Sequence, residues 1–269
     1  MRSYFITLCL FFFVSCSSSR IERKIDDKSW DALASESYLR WGDKRLSGTS
    51  DEVANCYKGK TTEALESYRK NYLAKSESPY YWLHVGNCFF MEKSWSKAQF
   101  FYRLGLDSDK PSIKSIALNN LGLLSFKFEQ WEKGKDYLEK SIALRPGNKV
   151  PRFNLSQLFL QFGFYDKAIE VLGHESLRDH KDVDIYYSLA NAYLFKGDLV
   201  KAEKYFRLIP EGFQKREDIA ATFALLQLKK GQLKEAKETI EGRERSHVLQ
   251  LTLVSQKIEK ILLQRMKED

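Results

Sequence analysis

Apolar positions between Val183 and Pro210 fall into two short helical patterns joined by one chain reversal. Tyr186, Leu189, Ala190 and Tyr193 recur at the 3.6-residue spacing of a single helix face. Ala202, Phe206 and Ile209 form a matching stripe after the break at Lys196-Gly197-Asp198, where glycine admits the backbone conformations of a tight turn. Small residues (Ala190, Ala202) oppose large ones (Tyr193, Phe206), so the two predicted helices can approach closely and interlock. A lone pair of this kind leaves apolar surface uncovered and needs copies of itself on either side.

Those copies are present. With Val183 as the first position, equivalent registers open at Lys149, Ser115 and Pro79 on stepping back 34, 34 and 36 residues, and at Glu217 on stepping forward 34. Leu155, Gly163, Ala168 and Leu172 occupy the positions of Leu189, Gly197, Ala202 and Phe206, and Ala224, Gly231, Ala236 and Ile240 continue the series. The two extra residues of the longer step fall in Asp107-Ser-Asp-Lys-Pro-Ser, a loop by composition. A period of 34 carrying W82-L-H-V-G-N-C-F and W131-E-K-G-K-D-Y-L-E-K-S-I-A-L-R-P resembles the tetratricopeptide repeat (TPR). Gly134 in place of the usual Ala, and Ser125 and Gln227 at the aromatic position, depart from that pattern. The resemblance implies an all-α chain, a right-handed α-solenoid of stacked TPR hairpins with a C-terminal capping helix.

The ends of the chain read differently. Arg2 precedes an apolar run, Tyr4 to Val14, too short for a mature membrane span. Phe13-Val14-Ser15-Cys16 resembles the lipobox of bacterial lipoprotein signals, with Phe13 standing where Leu is usual. The resemblance implies cleavage before Cys16 and acylation of that residue, and two or more acyl chains make a stable anchor. Ser17 after the cysteine points, by analogy, to the outer membrane facing the periplasm. An ordinary secretory signal is the alternative. The expected organisation is a signal peptide at 1–15 and a polar tether at 16–28, with a reach of about 20 Å. A helix near Trp30 and a degenerate first repeat fill 29–78, the repeat array runs over 79–242, and a capping helix occupies 243–269.

Composition narrows the function. Apolar residues make up 43% and aromatics 14%, enough to fill interfaces between stacked helices. The net charge of +8 is spread as alternating signs with no run of five like charges, so nucleic acid is not an expected partner. His84, His174, His180 and His247 form no H-E-x-x-H and pair with no CxxC; no metal, cofactor or catalytic residue is expected, and no phosphate loop or nucleophile elbow marks an enzyme. Cys56 and Cys88 stand at positions 12 and 10 of adjacent first helices. Those positions face different ways, so two separate small apolar fillers are expected over a disulfide, which an oxidising compartment would permit.

What remains is surface for binding. The first helices of TPR arrays line a concave groove, and carrying that over by position nominates Tyr80, His84, Asn87, Phe90, Asn120, Leu123, Phe126, Asn154, Gln157, Tyr187, Asn191 and Leu194. Aromatic bodies offer apolar contact, and side-chain amides both donate to and accept from a peptide backbone. Few Lys or Arg stand at these positions, so the expected ligand is an extended or helical apolar protein segment rather than an acidic tail. The resulting expectation is a lipid-anchored, non-enzymatic scaffold for envelope complex assembly. Two alternatives stay open: a peptidoglycan- or glycan-binding module, and a homo-oligomer built through the C-terminal helix.

Overall fold

The computed structural model describes residues 55–56, 60–76, 78–174, 183–245 and 249–268. The expected signal peptide, Cys16, tether and Trp30 helix lie outside the described residues, as do His180 and His247. Among the described residues the protein is all-α, and its extended pairing amounts to one isolated bridge, Arg216 to Glu244. Two compact units divide it, one spanning Arg23–Asn154 and the other including Leu155–Asp269.

In the N-terminal unit, α1 (Thr61–Lys70) and the short α2 (Tyr72–Lys75) precede two hairpins, α3 (Pro79–Met91) with α4 (Trp95–Leu104) and α5 (Pro111–Lys127) with α6 (Trp131–Leu144). A 3-10 turn, Gly105–Asp107, links the hairpins. Helix α5 starts four residues ahead of the register at Ser115, and the loop read from composition is correspondingly shorter. Pro111 takes the first helical turn, where its missing N–H costs nothing. Ile113 and Ala117 then anchor that added turn in a core with Leu83, Ala98, Tyr102, Leu121 and Leu124. A second core joins Ala64 and Tyr68 of α1 to Tyr81, Val85 and Cys88 of α3, and the Tyr81 hydroxyl donates to the Tyr68 carbonyl at 2.7 Å.

Cys56 and Cys88 are joined as a disulfide in that second core, with Cα atoms 5.1 Å apart. The expectation of two separate fillers is thereby corrected. It took positions 12 and 10 to face different ways, but helices lying side by side meet through different faces, so unlike positions are the ones that come together. Asn55 and Cys56 are helical, and the Lys60 N–H donates to the Asn55 carbonyl at 2.9 Å, the bond that Ser94 makes to Phe89 at the next corner, so Cys56 packs with Cys88 in one core.

Helix α7 (Lys149–Gln161) spans the division between units and pairs with α8 (Tyr165–Leu172). The C-terminal unit continues with α9 (Val183–Lys196) and α10 (Leu199–Arg207), the one-turn α11 (Glu211–Gln214), then α12 (Glu217–Lys229) and α13 (Leu233–Glu241). Asp198 caps α10, its carboxylate accepting from the Lys201 N–H at 3.0 Å, and that bond holds its carboxyl below the usual range. Ala168, Ala202 and Ala236 have no exposed surface: each is the small residue on which a second helix closes against its partner. The last helix, α14 (Leu249–Glu268), lays Ile258 and Leu262 on Ala221, Ala224, Leu228, Ala236 and Ile240, and so covers the apolar side of α12 and α13.

Candidate functional site

In the N-terminal unit the first helices bring four side-chain amides into one row. Asn87 stands on α3, Asn119 and Asn120 on α5, and Asn154 on α7. Asn154 Nδ2 donates to Asn119 Oδ1 at 2.8 Å, Asn119 Nδ2 to Asn120 Oδ1 at 3.1 Å, and Asn120 Nδ2 to Asn87 Oδ1 at 3.1 Å. The Tyr102 hydroxyl of α4 donates to the same Asn87 oxygen at 2.9 Å. An amide buried without a partner costs a few kcal/mol, roughly 1 to 3. Here the repeat spacing delivers partners for the Asn119 and Asn120 amides, while Asn87 accepts twice through Oδ1 and its Nδ2 is buried without a partner.

The twelve residues nominated by position divide by burial. Tyr80, Phe90, Leu123, Asn154 and Gln157 are half-buried, whereas His84, Asn87, Asn120, Phe126, Tyr187, Asn191 and Leu194 are buried. Phe126 stacks on Trp131, with ring centroids 5.8 Å apart, and fills the space where a Cβ on Gly134 would stand. Gly134 and Phe126 are therefore one adaptation: the second helix omits its methyl group because the first helix supplies a ring. Leu194 packs among Ala190, Ala202 and Phe206. Gln157 Nε2 donates to Ser188 Oγ at 2.8 Å, tying α7 to α9 within the C-terminal unit.

That unit also holds buried charge that the sequence reading did not single out. Arg216 donates through Nε and Nη2 to the two oxygens of Asp218, at 2.7 and 2.9 Å, and through Nη1 to Asp184 at 3.3 Å. Burial opposes the Arg216 charge, but the Asp218 and Asp184 carboxylates outweigh it and hold the guanidinium above its ordinary range. The same guanidinium lies 5.7 Å from the Tyr187 ring centroid. The Tyr187 hydroxyl meets the Asp218 carbonyl at 3.0 Å and Thr222 Oγ1 at 2.9 Å, and burial pushes it well above the usual tyrosine range. Next along the chain, Arg243 reaches Glu217 at 3.2 Å and Glu259 at 2.7 Å, joining α12 to α14. The available signal was Arg216-Glu217-Asp218 opening a first helix, an unusual density of charge at a position that packs. These contacts tie helices together and expose no reactive group. Among the described residues no three of His, Cys, Asp or Glu are grouped to hold a metal, and no helix is long and apolar enough to cross a membrane.

Paired helices closing on alanine, with first helices side by side, define the class: an all-α fold of TPR hairpins. The tetratricopeptide repeat family profile matches residues 153–216. MamA from Desulfovibrio magneticus RS-1, solved from residue 41 to its end, is similar at 16% identity and a TM-score of 0.52, over 61% of this chain and 91% of that one. The C-terminal part of a TPR repeat-containing protein from Cytophaga hutchinsonii is similar at 18% identity and a TM-score of 0.52, over 77% and 78% of the respective chains. At such identities the likeness establishes the fold alone. Comparison of the sequence with characterised proteins finds no match.

Proposed function

We propose that this chain is a lipid-anchored TPR scaffold of the bacterial cell envelope, holding a protein or peptide partner against its first helices. The observation that carries the binding role is the set of half-buried side chains left on those helices. Tyr80, Phe90, Leu123 and Asn154 in the N-terminal unit offer apolar and amide surface beside an amide row that is already bonded within itself. Apolar bodies with few charges suit an apolar protein segment. The envelope assignment draws on the lipobox-like stretch ending at Cys16. It is supported by the Cys56–Cys88 disulfide, a bond that persists in oxidising compartments.

Cross-linking in the native membrane, followed by mass spectrometry, tests the binding role. A partner captured by the native chain and lost from Phe90→Ala/Leu123→Ala supports the scaffold; equal capture by both removes the first helices from the binding surface. Mass analysis of the N-terminal peptide tests the anchor separately, since an unacylated Cys16 would end that part of the reading.

A further inference from the structure

The Cys56–Cys88 disulfide encloses a stretch that is weakly held for its length. Residues 57–87 include α1, ten residues long, and α2, four residues long. Helices this short have little stability of their own in water. Ala64 and Tyr68 are the only buried side chains of α1. Helix α2 turns Tyr72 and Leu73 to solvent, Leu73 at 89% exposure. This edge is held by one small core, shared with Tyr81, Val85 and Cys88, and by the Tyr81 hydroxyl on the Tyr68 carbonyl.

Cys88 stands in a firmer setting. It follows Asn87, whose Oδ1 accepts from Asn120 of α5 at 3.1 Å and from Tyr102 of α4 at 2.9 Å. Leu83, on the same helix, lies in the core that joins α3 to Ala98 and Tyr102 of α4 and to Ile113, Ala117, Leu121 and Leu124 of α5. Both cysteines are buried, Cys56 at 1% and Cys88 at 0% exposure. The bond is thus a covalent crossing from the chain before α1 to the block of α3, α4 and α5, with residues 57–87 left as a side loop.

We propose that the disulfide is a mechanical shunt: tension arriving from the N-terminal side of Cys56 passes straight to Cys88 and bypasses α1 and α2. A pull acts along the covalent path between its two points of application, and a cross-link takes the enclosed loop out of that path. Without the bond the pull enters at α1 and peels it from α3 against the contacts of Ala64 and Tyr68 alone. A lipid-anchored scaffold meets such tension whenever anchor and partner move apart, and the lipobox-like stretch ending at Cys16 lies on the required side of Cys56. The proposal rests on that reading for the source of the pull.

Optical-tweezers pulling on the full chain, with handles at its two ends, tests the shunt. Fully extended, residues 57–87 span about 100 Å. The oxidised native chain should stop about 100 Å short of the full extension of Cys56→Ser/Cys88→Ser. That variant should gain the difference in one added step, at lower force than the hairpin steps of the native chain. The native chain in a thiol reductant should show the same added step, and it decides the matter if the serine variant fails to fold. Equal full extension of oxidised and bond-free chains would overturn the proposal. So would extra length that appears only together with the hairpins, since α1 and α2 would then need no bypass. The handles stand in for the membrane, so an unacylated Cys16 would end the anchor reading and leave the pulling result as it is.

Discussion

In the C-terminal unit each hairpin turn places a glycine in the left-handed region: Gly163, Gly197 and Gly231 at φ 75°, 96° and 76°. In the N-terminal unit the same corner falls to Lys93 and Glu129, at φ 64° and 57°. A side chain there costs roughly 1 to 2 kcal/mol that glycine avoids. The N-terminal unit tolerates it because other contacts hold its hairpins: the Cys56–Cys88 disulfide, the asparagine row and the Phe126 ring over Gly134. The C-terminal unit has regular corners and stakes its helix contacts on buried charge instead, with Glu217 and Asp218 nearly inaccessible. One hairpin geometry thus tolerates strain at the corner or charge in the core, provided the rest of the unit compensates.

That contrast can be broken from either side. The largest effect should come from Arg243→Met, which strands Glu217 without its counter-ion. Removing one partner of a buried pair costs about 3–5 kcal/mol, and the urea unfolding midpoint should fall accordingly. A loss under about 1 kcal/mol, the level of exposed pairs, would mean that water reaches Glu217. Next is the disulfide, which closes a sequence separation of 32 residues. Cys56→Ser/Cys88→Ser should lower the stability of the N-terminal unit by about 3–4 kcal/mol on chain entropy, read as faster amide exchange at Tyr68 and Val85. Unchanged exchange would show that the packing of α1 on α3 suffices without the bond.

Gly134→Ala should cost about 1–3 kcal/mol by overpacking against the Phe126 ring. Phe126→Leu in the same chain should recover part of that loss, since the two positions share one space; additive losses would deny the coupling. The smallest effects are at the corners. Lys93→Gly and Glu129→Gly should each raise stability by about 1 kcal/mol, and Gly197→Ala should lower it by a similar amount. Thermal unfolding of the three variants checks the signs.

The repeat period and the paired helices were legible because they depend on spacing. Ala98, Ala168 and Ala202 could be aligned by counting, and each closes a hairpin with no exposed surface. Features set by two residues at once were not legible. Gly134 looked like a departure until Phe126 was seen to occupy the missing methyl's place, and a left-handed corner at Lys93 leaves no mark in composition because a lysine there reads as any surface charge. Amides were nominated as ligand contacts because they can both donate to and accept from a peptide backbone. Asn119 and Asn120 instead spend their amides on each other and on Asn87, with Asn154 at the half-buried end of the row, and the Asn87 Nδ2 alone in that row is buried without a partner. Charges such as Arg216 and Arg243 were not singled out, because nothing in their spacing sets them apart from the charges that lie outside.

The asparagine row also bears on how a chain like this can lengthen or shorten. Its links join residues 33 and 35 positions apart, each passing a bond to the helix before it. A hairpin inserted between α4 and α5 would separate Asn87 from Asn120 unless it brought matching amides at both depths. Serine stands at 188, one period beyond Asn154, so a module copied from that stretch could not continue the row. Duplication near the start of the array is open only to modules that carry their own asparagines.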